Sequence, residues 1–172
     1  MNYVNGEKRN MILILQLFLY CLLFFMMVKL AAGNNGINCL YFYPKAYQEK
    51  AIELGLADEQ TIKRKGKAFM IPFLIILLLA LTGIISVWNQ VKDFKTAYWQ
   101  AVLFLVVMNW FDGIVLDGIW VGHSKIWVIP EMKDVPYIKS WKDIFLKRSI
   151  ATILYAIIAL GVAGIVVLMG KV

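Results

Sequence analysis

The chain has 172 residues, 61% of them apolar, and a formal net charge of +7. Its mean hydropathy of +0.70 and an apolar share well above the roughly 45–50% of soluble domains exclude a water-soluble globule and make lipid the solvent for most of the chain. The 18 Lys and Arg residues sit between apolar blocks and not along one continuous face, which excludes a nucleic-acid footprint, and the two cysteines, Cys21 and Cys39, form neither a CxxC pair nor a zinc spacing.

The first apolar block covers 11–30, with Gln16 as the only strongly polar residue before Lys29. Lys8 and Arg9 ahead of it match a signal peptide's basic flank. The apolar stretch is longer than the roughly 7–15 residues of such a segment and Leu30-Ala31-Ala32 is a poor cleavage site, so the expectation is a retained span.

Residues 33–67 turn polar. Gly33-Asn34-Asn35-Gly36 predicts a turn, and Pro44 suits the first turn of a short helix carrying Tyr47, Ala51 and Leu54 on one face and stopping at Gly55. Asp58 then caps a second short helix that closes with Lys63, Arg64, Lys65 and Lys67. Both are expected on the membrane surface, with the basic cluster among lipid headgroups.

The second span reads 69–88, with Pro72 in its first turn and Thr82, Gly83 and Ser86 as a small contact face. A brief polar link over 89–96 forces an antiparallel hairpin with the third span, 97–121. The next loop, 122–140, holds His123, Lys125, Trp127, Pro130 and Pro136, and Ser140 with Asp143 reads as a capping box for the fourth span, 146–169. Ala156, Ala159, Gly161, Ala163 and Gly164 mark that span as a packing element. Trp88, Trp99, Trp120, Trp127 and Trp141 stand near span ends, as in an aromatic belt.

The expected fold is an all-α integral membrane protein: a single domain built as a four-transmembrane-helix bundle, with short surface helices in the first loop. No internal repeat is present, so an inverted-repeat transporter in one chain is not indicated, while a homo-oligomer would supply a second half. Loops 33–67 and 122–140, counted with the adjoining span ends, carry twelve Lys and Arg residues against five on the opposite face. That excess predicts cytoplasmic loops and external termini in the cell membrane.

Chemistry concentrates in the third span, where Asn109, Asp112 and Asp117 interrupt an apolar run. Insertion into a helix centre costs roughly 2.5–3.5 kcal/mol per Asp, so both need partners, protons or a polar cavity. At the α-helical rotation, Asn109, Asp112, Gly113, Asp117, Trp120 and His123 share an arc of roughly 140°. The polar face is expected to look into the bundle as an ion or ligand pathway, with Gln16 offering it a hydrogen bond from the first span. The competing structural reading pairs Asn109 and the carboxylates with Gln16, Tyr20, Lys29, Thr152 or Tyr155, and Asp117 with Lys125, Lys147 or Arg148.

His123 is the one histidine. Asp112 stands roughly 16 Å from it along a helix, too far for one metal ion, and a single His excludes paired axial haem ligation. No metal and no cofactor is expected.

Asn109-Trp110-Phe111-Asp112-Gly113 resembles the Asp-Gly opening of the CDP-alcohol phosphotransferase motif, which binds metals between membrane helices. That motif continues with an Ala-Arg pair and further spaced aspartates, whereas Ile114-Val115-Leu116 and a single Asp117 follow here. The family's metal site and activity therefore do not carry over. The paired cysteines of the small quinone reductases of the vitamin K epoxide type are likewise missing.

The expected function is binding or transport of a small cation, proton or solute through the polar face of span three, with membrane lipids and a membrane partner or second copy as the surroundings and no nucleic acid. The alternatives are a membrane-embedded enzyme acting on a lipid substrate and an accessory or scaffold subunit of a membrane complex.

Overall fold

The computed structural model describes residues 2–135 and 137–170. Pro136, Lys171 and the side chains of Lys8 and Arg9, which entered the loop and charge expectations, lie outside the described residues. The chain is 84% helical, with no strand among the described residues.

Helix α1 spans Asn2–Ala32, α2 Lys45–Glu53, α3 Glu59–Trp88, α4 Phe94–His123 and α5 Trp141–Met169. Tight 3-10 turns cover Gly36–Phe42, Lys125–Trp127 and Pro130–Met132. Four of the helices, α1, α3, α4 and α5, are long and apolar enough to cross a membrane. At 1.5 Å per residue the 30 residues of α3 and of α4 reach about 45 Å, beyond the roughly 30 Å hydrocarbon layer, so their ends stand in the headgroup zone or the helices tilt.

Side-chain caps set the helix starts. Asp58 accepts from the Thr61 amide at 2.8 Å, Asp93 from the Thr96 amide at 2.9 Å and Ser140 from the Asp143 amide at 3.2 Å. Donors from Thr61 and Thr96 hold the Asp58 and Asp93 carboxyls below the usual carboxylate range, because they bond the ionised form. Gly33 and Gly55 take positive φ, +57° and +69°, the conformation that stops α1 and α2 at the places their sequences predict.

One boundary departs from expectation. The basic stretch at 63–67 does not close a separate surface helix; it forms the opening turns of α3, which runs unbroken into the membrane. Nothing between Lys67 and Phe69 terminates a helix, and Gly66 serves close approach, since a Cβ there would lie 3.2 Å from Tyr41 Cβ. Pro72 consequently sits inside α3 and not in its first turn.

Two cores result. Within the bundle, α4 packs along α5 with Ala97, Ala101, Ala159 and Ala163 fully buried, small side chains that let helix backbones approach. Gly161 and Gly164 would meet nothing within 4 Å even with a Cβ, so they do not belong to that seam. From α1, Tyr20 stacks edge-on to Phe104 at 5.6 Å and Phe24 to Phe73 at 5.2 Å.

The second core lies outside the bundle, where the two long loops fold together into a cap. Tyr43 and Tyr47 stack at 4.7 Å with planes 10° apart, and Tyr43 Oη donates to the Trp127 carbonyl at 2.8 Å. Burial pushes the Cys39 thiol and the Tyr41 phenol up to about 12. Trp127 is buried in this cap and is not a belt residue; Trp88, Trp99 and Trp141 are the exposed ones.

Candidate functional site

The polar residues of α4 do not lie on an α-helical face. From Asp112 to Trp120 the helix widens to π-helical geometry, and the Val121 amide bonds the Leu116 carbonyl five residues back. In an α-helix, residues five apart point roughly 140° away from each other; in a π-helix, whose bonds run i to i+5 at about 4.4 residues per turn, they are only about 50° apart and share one face. Asp112 and Asp117 are five apart, and both turn toward α5.

The sequence carries the same period, since Asp112-Gly113-Ile114 recurs as Asp117-Gly118-Ile119. Each glycine admits a side chain from α5. A Cβ on Gly113 would lie 2.8 Å from Arg148 Cγ and 3.0 Å from its Nε, and one on Gly118 would run into the Trp141 ring. Arg148 and Trp141 are seven residues, or two α-helical turns, apart, so the two notches of α4 meet one stripe of α5.

Arg148 is the centre of the cluster. Its side chain is 7% exposed; Nη1 lies 2.5 Å from Asp112 Oδ2 and Nη2 2.6 Å from Asp117 Oδ2. Lys139, from the loop before α5, reaches Asp117 Oδ1 at 2.9 Å. Asn109 donates to the Arg148 carbonyl at 2.8 Å and to Thr152 Oγ at 3.1 Å, while Arg148 Nη1 reaches Asn109 Oδ1 at 3.5 Å. Two carboxylates thus face two cations, and the four formal charges cancel.

Beside this cluster lies an open cavity of about 640 Å³ between α1, α3, α4, α5 and the cap, within the range of roughly 300–1,000 Å³ usual for small-molecule sites. Phe24, Phe73 and Leu116 give it an apolar depth. Lys67 of α3 and Lys147 and Arg148 of α5 stand on its walls, with Asp112, Asp117 and Lys139.

Of the residues singled out from sequence, Asn109, Asp112 and Asp117 come together and two do not join them. His123 is exposed and uses Nδ1 on the Ile119 carbonyl of its own helix at 2.8 Å. Gln16 is fully buried toward the other end of the bundle, where it donates to Asn89 at 2.7 Å, and Asn89 donates to Gln100 at 2.9 Å. Thr152 and Arg148 were among the structural partners weighed from sequence. Lys139 was not, and the period-five repeat was the available sign that both aspartates would share one cation.

Compared with known protein families, curated proteins and solved structures, the chain matches none. The functional reading therefore rests on its own geometry.

Proposed function

We propose that this membrane protein binds a small solute in the cavity beside the polar face of α4, as a binding or transport protein and not as an enzyme. The observation that carries the reading is the pairing of a cavity of about 640 Å³ with carboxylates already engaged by Arg148 and Lys139. Such carboxylates serve to orient the cations on the cavity wall, and a metal cation entering there would have to displace an arginine. Both charged loops lie on the cytoplasmic side in this reading, because they hold the larger share of Lys and Arg.

Mass spectrometry of the purified full chain tests it. Wild type is expected to carry a small molecule or lipid that a Leu74→Trp variant, which fills the cavity from an exposed position of α3, does not. Equal content in both proteins would remove the cavity from consideration.

A second reading, passage of protons along α4, is favoured by Asp112 alone. It keeps 25% exposure, lines the cavity and has Arg148 as its one ion-pair partner among the described residues. Proton flux in proteoliposomes that Asp112→Asn abolishes, with Leu74→Trp lipid content unchanged, would favour it.

A further inference from the structure

We infer that the ligand of this cavity is a membrane lipid with an anionic, phosphate-bearing headgroup, entering from the leaflet on the loop side. The inference rests on the reading of the cavity as a binding site and adds the class of ligand.

Charge is the first argument. Five cationic side chains line the cavity, Lys63, Lys67, Lys139, Lys147 and Arg148, against Asp112 and Asp117. Lys139 and Arg148 are held by the two carboxylates, and Lys63 pairs with Glu59 at 2.6 Å. Lys67 and Lys147 make no ion pair among the described residues. They stand on two different helices around one opening, so an anion between them gains from both without breaking an existing pair.

The second argument is the polarity gradient. Both lysines belong to the loop-side turns of their helices, while Phe24, Phe73 and Leu116 line the same cavity deeper in the bundle. Met70, Ile71 and Leu74 line it from α3 and are exposed, so the wall on that side is apolar at the depth of acyl chains. A charged mouth at headgroup level above an apolar depth matches an amphiphile better than a hydrophilic anion, for which burial against Phe24 and Phe73 offers nothing.

The third argument is the way α3 and α5 meet. They touch both within Glu59–Gly83 and through the Ile84–Trp88 end of α3, and at the loop side the cavity opens between Lys67–Leu74 of one and Lys147–Tyr155 of the other. The gap between these two helices gives a lipid an entry that does not require the cap to open.

The test uses the full chain in neutral detergent, titrated with phosphatidylglycerol, phosphatidylcholine or inorganic phosphate, and read by thermal unfolding and by native mass spectrometry. Phosphatidylglycerol is expected to remain bound and raise Tm, with phosphatidylcholine weaker by roughly thirtyfold, about fivefold for each of two lysines. Inorganic phosphate is expected to have no effect. Lys67→Ala with Lys147→Ala, both exposed positions, should erase the preference while leaving phosphatidylcholine binding intact. Equal binding of the two lipids by wild type, or an unchanged preference in the double variant, would overturn the anionic class. Stabilisation by phosphate alone would overturn the lipid. In either case, loss of all binding in Leu74→Trp keeps the cavity as the site; no effect of Leu74→Trp on any ligand defeats the underlying reading as well.

Discussion

Arg148→Met removes the one cation that both intramembrane carboxylates share. With Nη1 and Nη2 at 2.5 and 2.6 Å from the two carboxylates and charge centres near 4 Å apart, each attraction is worth roughly 4 kcal/mol at an effective dielectric of about 20. Against this stands the desolvation of three ions, several kcal/mol each. The intact triad therefore adds little net stability, but breaking it leaves Asp112 without a partner and Asp117 with Lys139 alone. The expected cost of Arg148→Met is about 3–5 kcal/mol. The double variant Asp112→Asn, Arg148→Met, which leaves Asp117 paired with Lys139, should recover to within about 1 kcal/mol of wild type, since the penalty belongs to the uncompensated charge and not to the lost side chain. Unfolding of the full chain in mixed micelles by SDS titration, followed by far-UV circular dichroism at neutral pH, measures both. An Arg148→Met variant within about 1 kcal/mol of wild type, or a double variant as unstable as the single one, would refute the argument.

Gly113→Ala should cost about 1–3 kcal/mol, because the middle of the Arg148 side chain occupies the space a Cβ needs; Gly118→Ala should cost less, because the Trp141 ring it meets is exposed and free to swing. The same unfolding titration ranks the two. Gln16→Leu should change stability by less than about 1 kcal/mol, since the buried Gln16 Oε1 has no partner, while Asn89→Leu strands the Gln16 amide and should cost about 1–3 kcal/mol. Cys39, fully buried with its thiol pushed up to about 12, should resist maleimide at pH 8 in folded protein and react after denaturation, as labelling mass spectrometry would show. Asp58 has a folded-state value held below its unfolded one. Its cap therefore stabilises α3 above the unfolded value and loses that contribution as pH falls through the folded one; Asp58→Asn should keep the helix start and remove this pH dependence, read by acid titration of helicity.

Much of the fold was legible because bilayer thickness fixes span length and caps fix span starts. Gly55 at the end of α2, Asp58 at the start of α3 and Ser140 before α5 stand where local chemistry places them. The continuous α3 was not legible, because a change from basic to apolar residues marks a membrane boundary and not a helix end. Trp127 misled in the same way: its place in sequence resembles that of Trp120, but pairing of the two loops buries it. For the candidate site, the cost of intramembrane charge pointed to Asn109, Asp112 and Asp117, which the fold brings together around Arg148. Gln16 and His123 were added on helical angle and hydrogen-bonding capacity alone. Gln16 stands at the opposite end of the bundle, bonded to Asn89, and His123 bonds the backbone carbonyl of Ile119, so neither joins the cluster.

The π-helical turn and the ion triad are best understood as one unit. A π-helix is an uncommon form, usually seen as a single-turn bulge, and here it extends over nine residues, Asp112–Trp120. If this stretch tightened to an α-helix, Asp117 would swing by roughly 90° relative to Asp112, and one arginine would no longer serve both. Arg148 would keep one carboxylate and the other would face the bundle unpaired, at the several-kcal/mol cost that a lone intramembrane charge carries. The charges therefore hold the helix wide, and the wide helix keeps the charges paired. Arg148, anchored from both sides and seated in the notch at Gly113, enters the cavity wall as a fixed positive group with little rotamer freedom. Two acidic residues of α4 thus fix Arg148 against the cavity wall, where Lys67 and Lys147 stand without an ion pair among the described residues.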